Sequence, residues 1–562
     1  MTDTLQVTFL GIPYSLDPFL HFADIINSMK ALNVLYGGRL GPEAFEKVLP
    51  GGEGRESAFS LALAAAAAFP GVEKTVFLGV EGLDFPALPA GIEAKKRPSW
   101  TRKSLLEEIS LLSAGYDLVY FAWADCPLLD ANLAAALAER HSRYGAEYSY
   151  ADGWPYGFAP EILAPAAAAI LAKLVSDSSA GDDAPVERDA LFQVIQKDIN
   201  AFDIETELSP VDLRPYRLSL AADSKRNLLL LSRWMEAGIR SASDAEKFIS
   251  EKPELLRTLP AFFNIQITGA CPQTCSLCPW PAYGGDIPVT ERKDHMPVEA
   301  FEGLINKIED FAGDAVISVS LWGEPSLHPR RMELIEMVLA RPALSLVVET
   351  SGVGWKDDDI RALAAAASRA VPRKNHMAPL SWIVSLDAHE SERYKQLRGP
   401  GFSEARAAAK TLLSLFPNDA YVQAVRVKDF EDDIEHFYRS WKEEPEVSAA
   451  RKKDGSHIII QKYDDFAGAL PKLQASDLSP VKRRPCWHIQ RDMNILLDGS
   501  VPCCREDLEA LKGKGEKGSL GNVFTEDLSV VWERGAALYL EHCKAGYSGI
   551  CGRCDEYYTY NF

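Results

Sequence analysis

The sequence predicts an α/β protein in which two strand–helix series follow one another and a small cysteine-rich segment closes the chain. Three observations carry this. Short apolar runs alternate with amphipathic stretches over residues 1–222, and the same alternation restarts at Phe262. Between them, residues 223–260 read as helical and bridging. Six of the ten cysteines fall in the last 77 residues. Alternation of this kind is the pattern of parallel strands covered by helices.

The bulk numbers exclude several classes. A chain of 562 residues with 47% hydrophobic and 25% charged residues is globular and holds several domains. Its net charge of −20, from 60 basic and 80 acidic residues, argues against a general nucleic-acid or anionic-membrane binder. The opening "MTDTLQVTFLGIPYSLDPFL" lacks the basic region and cleavage site of a signal peptide. No apolar run reaches the roughly 18 residues of a membrane span. The longest, "SAFSLALAAAAAFPG", stops at a proline and reads as a buried helix. A secreted disulfide scaffold would be short and cysteine-dense throughout. Here the cysteines cluster inside a long chain, which favours metal binding and a cytoplasmic location.

In the first series, "KTVFLGV" (74–80) and "DLVYFAWADCPLL" (117–129) read as strands ending in loops. "DANLAAALAERHSRYG" (130–145) reads as an N-capped amphipathic helix closing on glycine. In the second, "FFNIQIT", "AVISVSLW", "LSLVVETSG", "SWIVSLDA" and "AYVQAVRVK" are strands spaced by helical segments, a pattern that suggests a full or partial barrel. The expected boundaries are 1–222, a helical linker 223–260, a core 261–450, a connecting segment 451–485 and the tail 486–562.

The sharpest feature follows the first strand of the second series. In "QITGACPQTCSLCPWP", Cys271, Cys275 and Cys278 stand at C-x3-C-x2-C with no fourth cysteine nearby. Three thiolates can hold three irons of a [4Fe–4S] cube and leave the fourth open. A zinc knuckle completed by a distant histidine, or unpaired buried thiols, are the plainer readings. The spacing resembles the signature of the radical S-adenosylmethionine (SAM) superfamily. That resemblance implies a partial (β/α)6 barrel, reductive cleavage of SAM to a 5′-deoxyadenosyl radical, hydrogen abstraction from a substrate, and an electron donor such as flavodoxin or ferredoxin. Leu277 stands where the family prefers an aromatic residue.

Companion segments extend the resemblance. "VSLWGEPSLHP" (319–329) is similar to the family's GGEP segment, with Trp322 replacing the first glycine. It implies that Gly323, Glu324 and Pro325 border the methionyl amino group. "VVETSG" (347–352), with Ser351, resembles the third-strand end beside the ribose. In "VSLDAHESERYKQLRG" (384–399) Ser385 would contact the ribose and Arg398 would pair the methionyl carboxylate. Strand-end residues Glu349, Asp387, His389 and Arg426 would wall the substrate site. Each of these is also an ordinary structural residue when taken alone.

In the tail, Cys486-x12-Gly499-x4-Cys504 is followed by Cys551-x2-Cys554. Four thiolates from a hairpin and a distant C-x-x-C suit a closed cluster or a tetrahedral zinc. The arrangement resembles the SPASM and twitch extensions of radical SAM enzymes, which implies one auxiliary [4Fe–4S] cluster on Cys486, Cys504, Cys551 and Cys554. Cys503 could replace Cys504, Cys543 could belong to a second cluster, and Cys126 reads as a small buried residue.

The first third resembles sugar-nucleotide cytidylyltransferases of GT-A/Rossmann-like fold. "DCPLL" places Asp125 where that family holds a divalent metal, and "LRPYRLSLAADSKRNLLLLSRWM" resembles the domain's close. Its triphosphate loop has only a partial counterpart in Gly37, Gly38, Arg39 and Lys47, so a degenerate domain is the expectation. The whole combination resembles the spiro-SPASM proteins of spirochaetes.

The function expected is therefore a radical SAM enzyme acting on a sugar or nucleotide-linked sugar. The rivals are a peptide-modifying SPASM maturase and a non-catalytic iron–sulfur or redox-sensing protein.

Overall fold

A computed structural model describes residues 29–52, 54–176, 184–444, 455–512 and 518–559. The reading of the first twenty residues as free of a signal peptide lies outside them. The chain divides into two compact units, Met1–Glu251 and Lys252–Phe562. No helix among the described residues is long and apolar enough to cross a membrane.

The first unit is built on seven strands: β1 (Ala31–Tyr36), β2 (Val72–Val80), β3 (Ile92–Arg97), β4 (Leu118–Trp123), β5 (Tyr148–Asp152), β6 (Glu161–Leu163) and β7 (Ile204–Leu208). Their order is β3-β2-β1-β4-β6-β5-β7. β1 to β4 run parallel, and β6 is antiparallel to both its neighbours. Every residue of β1 and β4 is buried, which is why these strands read as continuous apolar runs.

Helices α1 (Ala58–Ala66), α2 (Arg102–Leu112), α3 (Ala131–Tyr144) and α4 (Pro165–Ser176) belong to the same unit. α3 begins and ends as its sequence predicts. Asp130 Oδ1 accepts from the Asn132 and Leu133 amides at 2.8 and 3.2 Å, and Gly145 closes the helix at φ 61°.

Residues 223–251 differ from the bridge expected. They form α5 (Lys225–Glu236) and α6 (Ala242–Glu251), both inside the first unit. α5 buries Leu228, Leu230, Leu231, Trp234 and Met235, so its leucine run is packing surface. The Ala242 amide donates to Asp130 Oδ2 at 2.8 Å, which fastens α6 to the start of α3.

The second unit carries β8 (Phe262–Ile265), β9 (Ala315–Ser318), β10 (Leu344–Thr350), β11 (Leu380–Ser385), β12 (Ala420–Arg426), β13 (Ile458–Lys462) and β14 (Asp492–Ile495) in one sheet. All pairings are parallel and the order is β13-β12-β11-β10-β9-β8-β14. The first five coincide with the five predicted strands. β13 lies in the stretch expected to connect, and β14 comes from the tail and pairs with β8, Phe262 opposite Asp492. The tail is thus partly built into the sheet and also forms a hairpin, β15 (Ser500–Pro502) with β16 (Ser519–Asn522).

The sheet's outer face packs on helices α7 (Val298–Ala312), α8 (Arg331–Leu339), α9 (Asp357–Arg369), α10 (Ser391–Leu397), α11 (Phe402–Leu415) and α12 (Glu431–Lys442). Side chains such as Phe301, Ile305 and Leu412 are fully buried there. Each contributes roughly 1.5–3 kcal/mol by leaving water. The inner face gathers Phe262, Val316, Val347 and Ile383, so the sheet curls around a lumen whose floor is apolar.

Candidate active site

Above that floor lies a cavity of about 540 Å3 at the C-terminal ends of the strands. Cys271, Cys275 and Cys278 all line it, as do Gly323, Glu324, Ser351, Ser385 and Arg398. The cysteine loop is held from two sides. Towards α10, the Ser276 amide donates to the Leu397 carbonyl at 2.8 Å. Gln273, almost wholly buried, donates from Nε2 to Tyr394 Oη (2.8 Å) and the Pro400 carbonyl (3.0 Å). Towards β9, the Glu324 amide donates to the Ala270 carbonyl at 2.8 Å.

Gly323 is required at its position. Its φ is 82°, and a β-carbon there would come within 2.2 Å of the Thr268 carbonyl oxygen. The neighbouring Glu324 has a job that sequence reading did not assign. Its Oε1 accepts from Thr350 Oγ1 (2.6 Å) and the Ser326 amide (3.2 Å). Its Oε2 accepts from the Ser351 amide and Oγ, at 2.8 and 2.7 Å. The carboxylate is thereby committed inside the protein, and Ser351 with it. Pro325 opens the short turn Pro325–Leu327, buried beneath.

Arg398 is likewise engaged. Its guanidinium pairs with Asp387, and its Nε donates to Gln273 Oε1 at 3.3 Å. Asp387 Oδ1 accepts from the Val425 amide at 2.9 Å, so one ion pair joins the end of β11, the start of the turn after α10 and the end of β12. Glu349 faces the lumen. Its Oε1 accepts from Ser385 Oγ (3.1 Å) and Gln423 Nε2 (3.0 Å), and it has no ion-pair partner among the described residues. Two of the four expected wall residues stand elsewhere. Arg426 pairs with Glu431 beside a groove lined by Ile460 and Leu478, and the His389 amide is bound to Asp433.

Burial raises all three loop thiols, Cys278 to about 12; nearby acids add to it, while Arg398 opposes it at Cys275 and Cys278. The loop cysteines are therefore neutral when nothing binds them, and a cation would have to release their protons. Aromatic side chains close one flank: Trp280 and Trp322 stack at 6.0 Å with Phe466 beyond, and Cys271 and Cys278 pack against this group. Trp322, in the place of a glycine, is half of that wall.

In the tail, Cys486 sits at the start of a short helix, Cys504 just after β15, and Cys551 and Cys554 near the chain's end. Burial raises Cys486 to about 12, with Cys551 adding to it; Cys486 and Cys554 both act on Cys504. Cys503 lines a small cavity with Arg257 and Trp532, and Cys543 lies near Tyr539 and Glu254. Among the described residues only Asp464, Asp555 and Glu556 bring three ligand atoms within 4.8 Å of one another.

Two cations that sequence reading passed over pair with that acidic trio. Lys462 pairs with Asp555 (2.9 Å) and Glu556, while Arg505 pairs with Asp464 (3.1 Å) and Glu506 (3.0 Å). Lys462, Asp464 and Arg505 line the same cavity as the loop cysteines. No short motif announces them, because a strand end and a tail loop bring them together from 43 residues apart.

In the first unit Asp125 is not open to a metal. Both its oxygens accept from Arg188, at 2.8 and 2.6 Å. Cys126 is buried and free, as expected.

The sequence profile of the radical SAM superfamily matches residues 265–440. An uncharacterized protein of Treponema pallidum (strain Nichols) is 37% identical over 383 residues, covering 66% of this chain and 98% of the relative. Among solved structures, BtrN in complex with AdoMet and 2-DOIA shares 14% identity, over 53% of this chain and 94% of that one, at a TM-score of 0.33. A cytidylyltransferase from Leptospira borgpetersenii serovar Hardjo-bovis shares 15% identity, over 40% of this chain and 95% of that one, at a TM-score of 0.32.

Proposed function

The chain belongs to the radical SAM superfamily, and on that premise we propose that it removes a hydrogen atom from a hydroxyl- or amine-bearing small molecule of sugar type. Membership makes it an enzyme of radical chemistry that binds a [4Fe–4S] cluster and SAM. In this reading Cys271, Cys275 and Cys278 hold the cluster. The Gly323 turn receives the methionyl end, with Glu324, Pro325 and Ser351 fixing that turn and Ser385 and Arg398 bordering the ligand. Cys486, Cys504, Cys551 and Cys554 hold an auxiliary [4Fe–4S] cluster. When bound, these groups supply the one-electron chemistry and an acceptor for the electron left on the substrate.

The observation that carries the reading is the shared cavity. Three thiols, a glycine turn with no room for a side chain and an uncompensated carboxylate all line it. The charges around the lumen favour the substrate class. Arg398, Lys462 and Arg505 are each given to acids, whereas Glu349 has only neutral donors. A phosphate or carboxylate brought to Glu349 would meet repulsion, with each cation among the described lining residues already paired to an acid. A hydroxyl or ammonium would find an acceptor. A nucleotide-linked sugar fits only with its diphosphate held away from the lumen.

The test is 5′-deoxyadenosine formation by the anaerobically reconstituted protein with SAM and a strong reductant, beside Cys275→Ala. Product from the parent and none from the variant is expected. Equal release from both would sink the assignment.

A further inference from the structure

The resemblance of the first unit to cytidylyltransferases implies a divalent metal at Asp125, and the residues there do not fit one. Asp125 follows β4, and the strand order places the ends of β1 and β4 at the point where the connections reverse direction. That is where open parallel sheets take their ligands. The second acid of the place is Asp223, one residue before the α5 N-cap; the Ala222 amide donates to the Asp125 carbonyl at 2.9 Å.

Arg188 fills the gap between the two acids. Its Nη1 donates to Asp125 Oδ1 at 2.8 Å, and its Nη2 donates to Asp125 Oδ2 at 2.6 Å and Asp223 Oδ2 at 3.0 Å. The remaining oxygen, Asp223 Oδ1, accepts from Asn227 Nδ2 at 2.8 Å. All four carboxylate oxygens therefore have donors. The guanidinium also lies 4.0 Å from the centre of the Trp123 ring and 5.4 Å from that of Tyr156. The adjoining backbone is fastened too, since Arg39 Nη1, in the loop after β1, donates to the Val186 carbonyl at 3.1 Å.

A divalent cation would need those oxygens at about 2.0–2.6 Å with its own charge concentrated between them. Guanidinium is never deprotonated in proteins. A metal between the two carboxylates would have to displace this permanent cation, and aromatic faces on the guanidinium hold it where it is. We infer that the first unit is a metal-free module in which Arg188 is the resident cation between Asp125 and Asp223. Metal-dependent nucleotidyl transfer at Asp125 is then absent.

The test uses the full reconstituted chain with oxidised clusters and follows free Mn2+ by electron paramagnetic resonance, with and without CTP. Asp125→Asn should leave Mn2+ uptake unchanged in both conditions. Arg188→Met should add one ion per chain, and the double variant Arg188→Met/Asp125→Asn should lose it again. Uptake by the parent that falls on Asp125→Asn would overturn the inference. So would an Arg188→Met protein with native circular dichroism that gains no ion. The comparison of parent with Asp125→Asn needs no Arg188 variant, so it decides even if Arg188→Met does not fold.

Discussion

Ser351 gives both its hydrogen-bond donors to one carboxylate oxygen: its amide and its hydroxyl lie 2.8 and 2.7 Å from Glu324 Oε2. This joins the turn after β9 to the turn after β10 and fixes the Gly323 backbone beside the cysteine loop. In the function proposed above, Glu324 acts on SAM through position, and its partners share its effect. Hydrogen bonds to a charged group contribute about 1.5–3 kcal/mol each. Ser351→Ala should weaken SAM binding about tenfold and Glu324→Gln more, with iron content unchanged, as read by equilibrium dialysis of the reconstituted protein. Normal affinity in Ser351→Ala beside a large loss in Glu324→Gln would mean that Glu324 touches SAM itself.

How much of this was legible in the sequence follows from the kind of interaction involved. The cysteine loop, the five strands from Phe262 and the capped helix at Asp130 were all readable, because each depends on local spacing or on a period of burial. β13 was not. Its residues, "IIIQK", are half-exposed at the sheet's edge and show neither an alternating nor a fully buried pattern. β14 was missed because its partner β8 lies some 230 residues earlier in the chain. The committed states of Glu324, Arg398 and Asp125 were equally invisible. A motif names the residue type at a position, whereas a hydrogen-bond partner arrives from another strand.

The thiol assignment predicts iron content. Two [4Fe–4S] clusters bring about eight irons per chain. Cys504→Ala and Cys551→Ala should fall to about four, while retaining the signal of the cluster at Cys271, Cys275 and Cys278. Cys503→Ala and Cys543→Ala should keep about eight if the cluster rests on the four cysteines proposed. A loss of iron in Cys543→Ala would point to a further cluster.

Glu349 separates substrate contact from SAM contact. Glu349→Gln keeps an acceptor for Ser385 and a similar volume but removes the charge. If Glu349 takes the substrate's proton, the substrate-dependent increment in 5′-deoxyadenosine should fall by about 10² or more. Basal release without substrate should stay within about threefold. An equal fall in both would assign Glu349 to SAM.

The first unit carries two titrating groups, His141 buried and Glu161 half-buried, whose effects on stability oppose each other. Burial pushes the Glu161 carboxyl up from 4.5 to about 7, even though Tyr148 donates to it. Burial also pushes the His141 imidazole down from 6.5 to about 4, where it pairs with Ser149 Oγ at 2.8 Å. For Glu161 the folded chain keeps its proton longer than the unfolded one. Its contribution is fully present below about pH 4.5 and is lost as pH rises towards 7. For His141 the unfolded chain takes the proton first. Its contribution is present above about pH 6.5 and is lost as pH falls towards 4. Each slope is at most ~1.4 kcal/mol per pH unit, with opposite signs. Between about pH 5 and 6.5 the two nearly cancel. Hydrogen-exchange protection of β1 and β4, corrected for the intrinsic pH dependence of exchange, should therefore be nearly flat in the parent. Glu161→Gln should uncover the histidine, so that protection rises with pH. His141→Gln should uncover the carboxyl, so that protection falls with pH. Slopes of the same sign in both variants would mean that at least one of these groups titrates as it does in the unfolded chain.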